Sequence, residues 1–324
     1  MMNSKRIFII IEFVLASMVI VMAFIMTREQ SGKDRRRISV IIPDPDASRW
    51  SAFRYGLKMA AEDQGVEVFV VSTGDVLTLE DEIYMIGNES GNGVDAVILQ
   101  PVPGEDVLRK LEEASKKIPI MLVGDPASED GEKCRLPVTC SDDYHMGKAL
   151  AEEVLRDFNG NVEGKALGIV AENEESVEAL RRKKGFEDTL LDRGARISWT
   201  VCVSCEETDH NYLENQSKTD LVIALDDVSL TRAGECAAAK DLHGALVYGI
   251  GNSTEAVYYL DTGMAECLLV PDEFNRGYQS LTEAAKNLGL FSCNMKGKVL
   301  PFNVLRRKEL FTKKNQEILL TMSQ

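Results

Sequence analysis

The side chains able to do covalent or metal chemistry are scattered. His145, His210 and His243 lie far apart and form no HExxH pattern, so neither a metal cage nor a paired general base is signalled. Cys202-Val-Ser-Cys205 has the spacing of a redox or zinc pair, but no second CxxC and no histidine pair follows. The adjacent acids Asp142 and Asp143 open a helical stretch, where carboxylates complement the helix dipole. There is no GxxxxGK[ST] loop, no GxGxxG after the first apolar run and no GxSxG elbow. No enzyme is indicated, and no cofactor.

A second set of polar residues is more orderly, because each follows a short apolar run. "PDPDASRWSAFRYG" supplies Asp44, Asp46 and Trp50 after the first run. Gln100 follows the third and Asp125 the fourth. The fifth leads into "AENEESVEALRRKKGF" with Arg182, the sixth ends in Asp226-Asp227, and the seventh ends in "GIGN" with Asn252. An indole face surrounded by carboxylates, amides and a guanidinium suits a polyhydroxylated ring. Its apolar faces stack, and its hydroxyls bond to the polar rim. Each residue also has a plainer reading. Trp50 can be interface packing, Asp125 a turn residue, Arg182 a solvated member of "RRKK", and Asp226 a helix cap.

The elements that would carry these residues are legible from periodicity. The runs "ISVII", "VEVFVV", "DAVIL", "IPIMLV", "ALGIV", "DLVIAL", "ALVYGI" and "ECLLV" are short, branched and uninterrupted, as strands buried on both faces should be. Between them, "GEDVLRKLEEASKK" puts Val107, Leu108, Leu111 and Ala114 on one helical face. "SDDYHMGKALAEEVLRDF" reads as a helix capped by Ser141, and Gly194 stops the helix of "ESVEALRRKKGFEDTLLDRG". Alternation of strand and helix predicts an α/β fold with parallel sheets covered on both faces. The number of strands predicts two such units, divided near Cys140, with a ligand cleft where their strand ends meet.

Charge and the N-terminus set the context. The chain has 324 residues and a net charge of −15, which repels polyphosphate and argues against nucleic-acid binding. Its seven cysteines cannot all pair within one chain; Cys134 with Cys140 is the expected bridge if one forms. Residues 7–26 are apolar except Glu12 and Ser17, about the 20 residues a membrane span needs. Lys5 and Arg6 precede the span. It ends in bulky Phe24, Ile25 and Met26 rather than small cleavage-site residues, which predicts an uncleaved signal anchor. Arg28, Lys33, Arg35, Arg36 and Arg37 follow it, and by the positive-inside rule alone they would hold the large domain in the cytoplasm.

The ordered series "GLKMAAEDQG", "VDAVILQPV", "IPIMLVGD", "SDDYHMGKALAE", "RRKKGF", "DLVIALDD", "ALVYGIGN" and "LLVPDEFNRGYQSL" resembles the type I periplasmic binding proteins. That family includes the ribose- and galactose-binding proteins and the ligand cores of lac-type repressors. The resemblance spans about Ile38 to Leu305. It implies two doubly wound parallel-sheet domains with crossovers near Cys140, Pro271 and Lys298, closing on a guest by hinge motion. The implied partition is 1–37 for stub, anchor and tether, 38–140 plus 271–297 for the first lobe, and 141–270 plus 298–324 for the second. The implied ligand-binding residues are Asp46, Trp50, Gln100, Asp125, Arg182, Asp226 and Asn252. The chain departs from the family pattern at Arg49, where a second aromatic is common, and at Pro126, where arginine is usual. Gly251 replaces a sugar-clamping aspartate, and Leu269 replaces a glutamine.

Cytoplasmic relatives of that family carry a DNA-binding module where this chain has an apolar span, and exported ones carry a signal. The resemblance therefore overrules the charge count and implies a single-pass membrane protein with its large domain outside the cytoplasm. It implies a small-molecule ligand, a carbohydrate by preference, and a membrane partner: the permease of an ABC transporter or a sensor histidine kinase. The departures sustain a second expectation, a degenerate-pocket co-receptor or scaffold acting through protein–protein contacts. The tail "FTKKNQEILLTMSQ" reads as a short helix against the second domain.

Overall fold

The computed structural model describes residues 35–43, 48–73, 78–104, 106–124, 134–173, 176–205, 212–288 and 294–323, together with 15–18 and 22. The chain divides into an N-terminal segment, Met1–Arg36, and a body, Arg37–Gln324. In the first, residues 15–18 and 22 are helical. Most of the expected span at 7–26 lies outside the described residues, among which no helix is long and apolar enough to cross a membrane.

The body contains two six-stranded sheets. The first comprises β1 (Arg37–Ile42), β2 (Glu67–Ser72), β3 (Ala96–Leu99), β4 (Ile120–Val123), β5 (Val138–Ser141) and β11 (Lys298–Leu300), in the order β2-β1-β3-β4-β5-β11. The second comprises β6 (Ala166–Ala171), β7 (Arg196–Cys202), β8 (Leu221–Ala224), β9 (Leu246–Ile250), β10 (Cys267–Pro271) and β12 (Phe302–Leu305), in the order β7-β6-β8-β9-β10-β12. The two orders correspond strand for strand. Among the described residues only the β10–β12 pairing is antiparallel. Each sheet buries an apolar cluster on both faces, as parallel sheets flanked by helices require.

The helices are α1 (Ser51–Gln64), α2 (Leu79–Gly91), α3 (Val107–Ser115), α4 (Asp143–Asp157), α5 (Val177–Leu190), α6 (Asp227–Ala239), α7 (Thr254–Thr262), α8 (Glu273–Asn287) and α9 (Lys313–Met322). Each lobe contains one very tight helix pair. A β-carbon added to Gly56 on α1 would lie 2.0 Å from the carbonyl oxygen of Phe274, and one on Gly277 of α8 would lie 2.1 Å from that of Phe53. In the second lobe, Gly147 on α4 would meet the Arg182 carbonyl oxygen at 1.8 Å, and Gly185 on α5 would meet that of Tyr144 at 2.0 Å. Backbone therefore rests on backbone, and the register of Arg182 is set by what Gly147 lacks.

Several local expectations change in the structure. The cap of α4 is Asp142, which accepts from the His145 amide, while Ser141 closes β5. Strand β2 is an edge, and Phe69 and Val70, which point to opposite faces of the sheet, are both exposed. The third crossover falls at Pro301, because Lys298–Leu300 pairs with β5 in the first sheet. Cys134 and Cys140 are both free, and Cys202 is the disulfide-bonded cysteine instead. The tail helix α9 buries Met322 in the second lobe's core and also touches α1 of the first lobe.

Candidate functional site

The carboxyl ends of both sheets face one cleft, with a cavity volume of about 210 Å³. This is where ligands of open parallel sheets sit, beyond the strand tips at the point where strand order reverses. From the first lobe, Trp50 and Gln100 reach it after β1 and β3. From the second come Arg182 on α5, Asp226 after β8 and Asn252 after β9. Five of the expected residues are thus brought together. Asp46 and Asp125 lie outside the described residues.

The roles of these five differ from a simple ring of ligand contacts. Trp50 is 4% exposed, meets Phe53 edge-on at 5.3 Å between centroids, and has the Arg276 guanidinium 5.7 Å from its ring. Its indole N–H has no partner. Gln100 has a buried side-chain oxygen with no partner either. A buried donor or acceptor left unmade costs about 1–3 kcal/mol, and both atoms are closed off from the cavity in this arrangement of the lobes.

Arg182 is not solvated. It donates from Nε to Asp143 at 2.7 Å and from Nη1 to the Leu225 carbonyl at 2.8 Å. Asp226 is a helix cap, as its plainer reading held: it accepts from the Ser229 amide at 2.8 Å. Its other oxygen accepts from the Glu172 amide at 2.7 Å, which fixes the end of β6. Asn252 donates from Nδ2 across the cleft to the Arg49 carbonyl at 2.6 Å.

The cleft also contains residues the sequence reading passed over. Arg49, standing where a second aromatic was expected, sends Nη1 to both carboxylate oxygens of Glu172 at 2.9 Å, joining the lobes. Asp227 accepts from the amides of Asn252 and Ser253 at 2.7 and 2.8 Å, while burial pushes its carboxyl above the usual range. Glu273 and Arg276, at the start of α8, form an ion pair beside the second crossover, and burial also raises Glu273. Glu178 on α5 enters the cleft with its carboxyl raised, first by burial and then by the Asp143 charge. The rule that polar residues follow strand ends would have found Glu172, one residue past β6. Nothing local marks Glu178, Glu273 or Arg276.

Among the described residues no group of three or more His, Cys, Asp or Glu side chains is disposed to hold a metal ion. The arrangement offers an aromatic wall, amide and carboxylate acceptors and closure by two lobes, all of which bind rather than transform.

The comparisons with known proteins agree with this geometry. The family model described as "Periplasmic binding protein domain" matches residues 38–289. The chain is 27% identical over 154 residues to the ABC transporter periplasmic-binding protein YphF of Escherichia coli K12, and spans about half of that relative's length (46%). A carbohydrate transporter solute-binding protein from Agrobacterium radiobacter, solved with D-arabinose, has the same fold at a TM-score of 0.75 and 17% identity, covering 89% of this chain and 99% of that one. GanP, a glucose-galactose binding protein from Geobacillus stearothermophilus, gives 0.70 and 17% identity over 86% of this chain and 100% of that one. The XylFII–LytSN complex gives 0.70 at 14% identity, covering 85% and 98%. With two facing α/β lobes and that family match over most of its length, the chain belongs to the periplasmic binding protein domain family, whose members bind solutes and are not enzymes.

Proposed function

We propose that this protein is an extracytoplasmic binding protein that closes on a carbohydrate between its lobes and presents the closed form to a membrane partner. The observation that carries the reading is the cleft itself, about 210 Å³ between the two lobes at their strand ends, lined by Trp50, Gln100, Arg182, Asp226 and Asn252. Sugar hydroxyls both donate and accept, which suits the amide, carboxylate and guanidinium groups that line this cavity. The solved neighbours holding D-arabinose, and GanP, support this ligand class. Residues 7–26 would anchor the chain as a single-pass span, which keeps the cleft at high local concentration near its partner. The relation to an ABC transporter binding protein favours a transporter permease; the neighbour solved as the XylFII–LytSN complex is an instance of this fold held by another protein, and a sensor kinase is the other partner we propose.

A second reading, a scaffold with a degenerate pocket, is favoured by one observation: Arg49 and Glu172 join the two lobes directly across the cleft. Calorimetric titration of the full chain with pentoses and hexoses separates the two. Saturable binding that weakens in Trp50→Ala and Gln100→Leu supports the binding protein; a flat response to every sugar supports the scaffold.

A further inference from the structure

Cys202-Val-Ser-Cys205 stands beside the cleft, and the binding of a solute gives it no task. Cys202 ends the strand β7, pairs there with Ala171, the last residue of β6, and is disulfide-bonded. Cys134, Cys140, Cys236 and Cys267 are free, which leaves Cys205 and Cys293 to supply the other sulfur. Cys205 closes the 3-10 turn Val203–Cys205. In such a turn side chains three apart eclipse one another, and about 6 Å separates their α-carbons, within the range a disulfide spans. Cys293 follows α8, which begins at the cleft with Glu273 and ends at Asn287, about 21 Å along the helix.

A bridge that encloses two residues is no staple for the fold. The entropy a disulfide removes from the unfolded chain grows with loop length and is smallest for a loop this short. Strand β7 is already paired with β6 from Arg196 to Cys202. Cys202 is only half-buried, and accessible disulfides are the ones that thiols exchange with.

What the turn does hold is Glu172. Ser204 donates its amide to the Glu172 carbonyl at 3.0 Å, and the Glu172 amide donates to Asp226 at 2.7 Å. From this backbone, gripped on both sides, the Glu172 carboxylate reaches across the cleft to Arg49 at 2.9 Å. Cys202 Sγ lies 3.6 Å from the same Glu172 carbonyl and 3.4 Å from the Ser204 hydroxyl. In a disulfide this sulfur has no proton to donate. As a thiol it has one, with the Glu172 carbonyl in place to accept it. Reduction therefore frees the turn and brings a second donor to the carbonyl that the Ser204 amide holds.

We infer that Cys202 and Cys205 form a reversible disulfide, a site of thiol–disulfide exchange whose state sets the grip of Glu172 on Arg49. The reaction partner is a dithiol. Its thiolate attacks one sulfur of the bridge, forms a mixed disulfide and expels the other cysteine as a thiolate; its second thiol then attacks the mixed disulfide. The protein gains two electrons and two protons, and the dithiol leaves as its own disulfide. This goes beyond solute binding and holds whatever the ligand is.

The test begins with tryptic mapping of the full chain, denatured and alkylated without reductant. Residues 197–218 form one tryptic peptide that contains both cysteines. It should appear unalkylated and two hydrogens lighter than its dithiol form. Dithiothreitol at millimolar concentration, applied to the folded protein, should convert it to the doubly alkylated form with the circular dichroism unchanged, and removal of the reductant in air should restore the bridge. In hydrogen–deuterium exchange, peptides spanning Glu172 and Ser204 should exchange about two- to tenfold faster after reduction, the worth of one hydrogen bond. Small-angle scattering of the ligand-free chain should show a larger radius of gyration in the reduced state, a difference that Arg49→Ala removes. Cys202→Ser with Cys205→Ser should behave as the reduced protein. Peptide 197–218 found with two free thiols or linked to another peptide, a bridge that opens only when the protein unfolds, or exchange and scattering that are the same in both redox states would each overturn the inference. The unaltered protein in its two redox states decides the question even where the double variant does not fold.

Discussion

The double substitution Arg49→Ala with Asn252→Ala probes how the lobes are held together. It removes two contacts that cross the cleft, and each can be valued from its surroundings. In the Arg49–Glu172 pair one nitrogen is shared between both carboxylate oxygens at 2.9 Å, and the side chains are 29% and 39% exposed, so solvent screens it and about 0.5 kcal/mol is a fair value. The Asn252–Arg49 carbonyl bond is shorter, at 2.6 Å, and Asn252 is only 7% exposed, so about 1 kcal/mol is appropriate. Together they favour the closed arrangement by about 1.5 kcal/mol, or roughly tenfold in the closing equilibrium. Small-angle scattering of the ligand-free full chain should show the double variant shifted to a larger radius of gyration, with Arg49→Ala alone shifted less than Asn252→Ala alone. Ligand affinity should fall by the fraction of closed molecules lost. The double variant with the scattering profile and ligand affinity of the parent protein would refute the argument that these contacts hold the lobes shut.

Other substitutions test neighbouring parts of the structure. Gly147→Ala must push α4 away from the Arg182 carbonyl; it should cost about 1–3 kcal/mol in chemical denaturation and weaken ligand binding, whereas Gly91→Ala, with open space around it, should do neither. Glu82 is fully buried, accepts one amide from Val102, and burial pushes its carboxyl up to about 7. The folded state therefore keeps this proton where the unfolded chain has released it. Stability should fall as pH rises from about 4.5 to 7, by up to roughly 3 kcal/mol, and Glu82→Gln should flatten that slope in thermal melts recorded across the range. Arg306 ties the strand β12 to Glu153 and Asp157 of α4, and Glu153 is only 5% exposed. Arg306→Ala should cost about 1.5–3 kcal/mol, measured by urea unfolding, because Arg156 stays paired with Glu153 and only the charge-assisted bonds of Arg306 are lost.

The strands buried on both faces could be read in the sequence because continuous branched apolar runs have few other uses, and "ISVII", "DAVIL" and "DLVIAL" became β1, β3 and β8. Strands β5, β7, β11 and β12 could not. Residues such as Arg196–Cys202 alternate polar with apolar at a sheet margin, and what makes them strands is a neighbour distant in sequence. The site divides in the same way. Gln100, Asp226 and Asn252 follow strands, so topology alone brings them to the cleft.

The sequence by itself determined the two α/β units, the order of their elements and the ends at which a guest would sit, since these follow from periodicity and chain connectivity. The tertiary structure alone decided which charges are spent and which are left. Arg182 looked like one cation in a surface run until Asp143 and the Leu225 carbonyl were found on it, and Glu273 and Arg276 gave no local sign of the cleft that the second crossover brings them to. Pairing depends on distances of a few ångströms between groups that three chain crossovers bring together, and a linear sequence does not contain those distances.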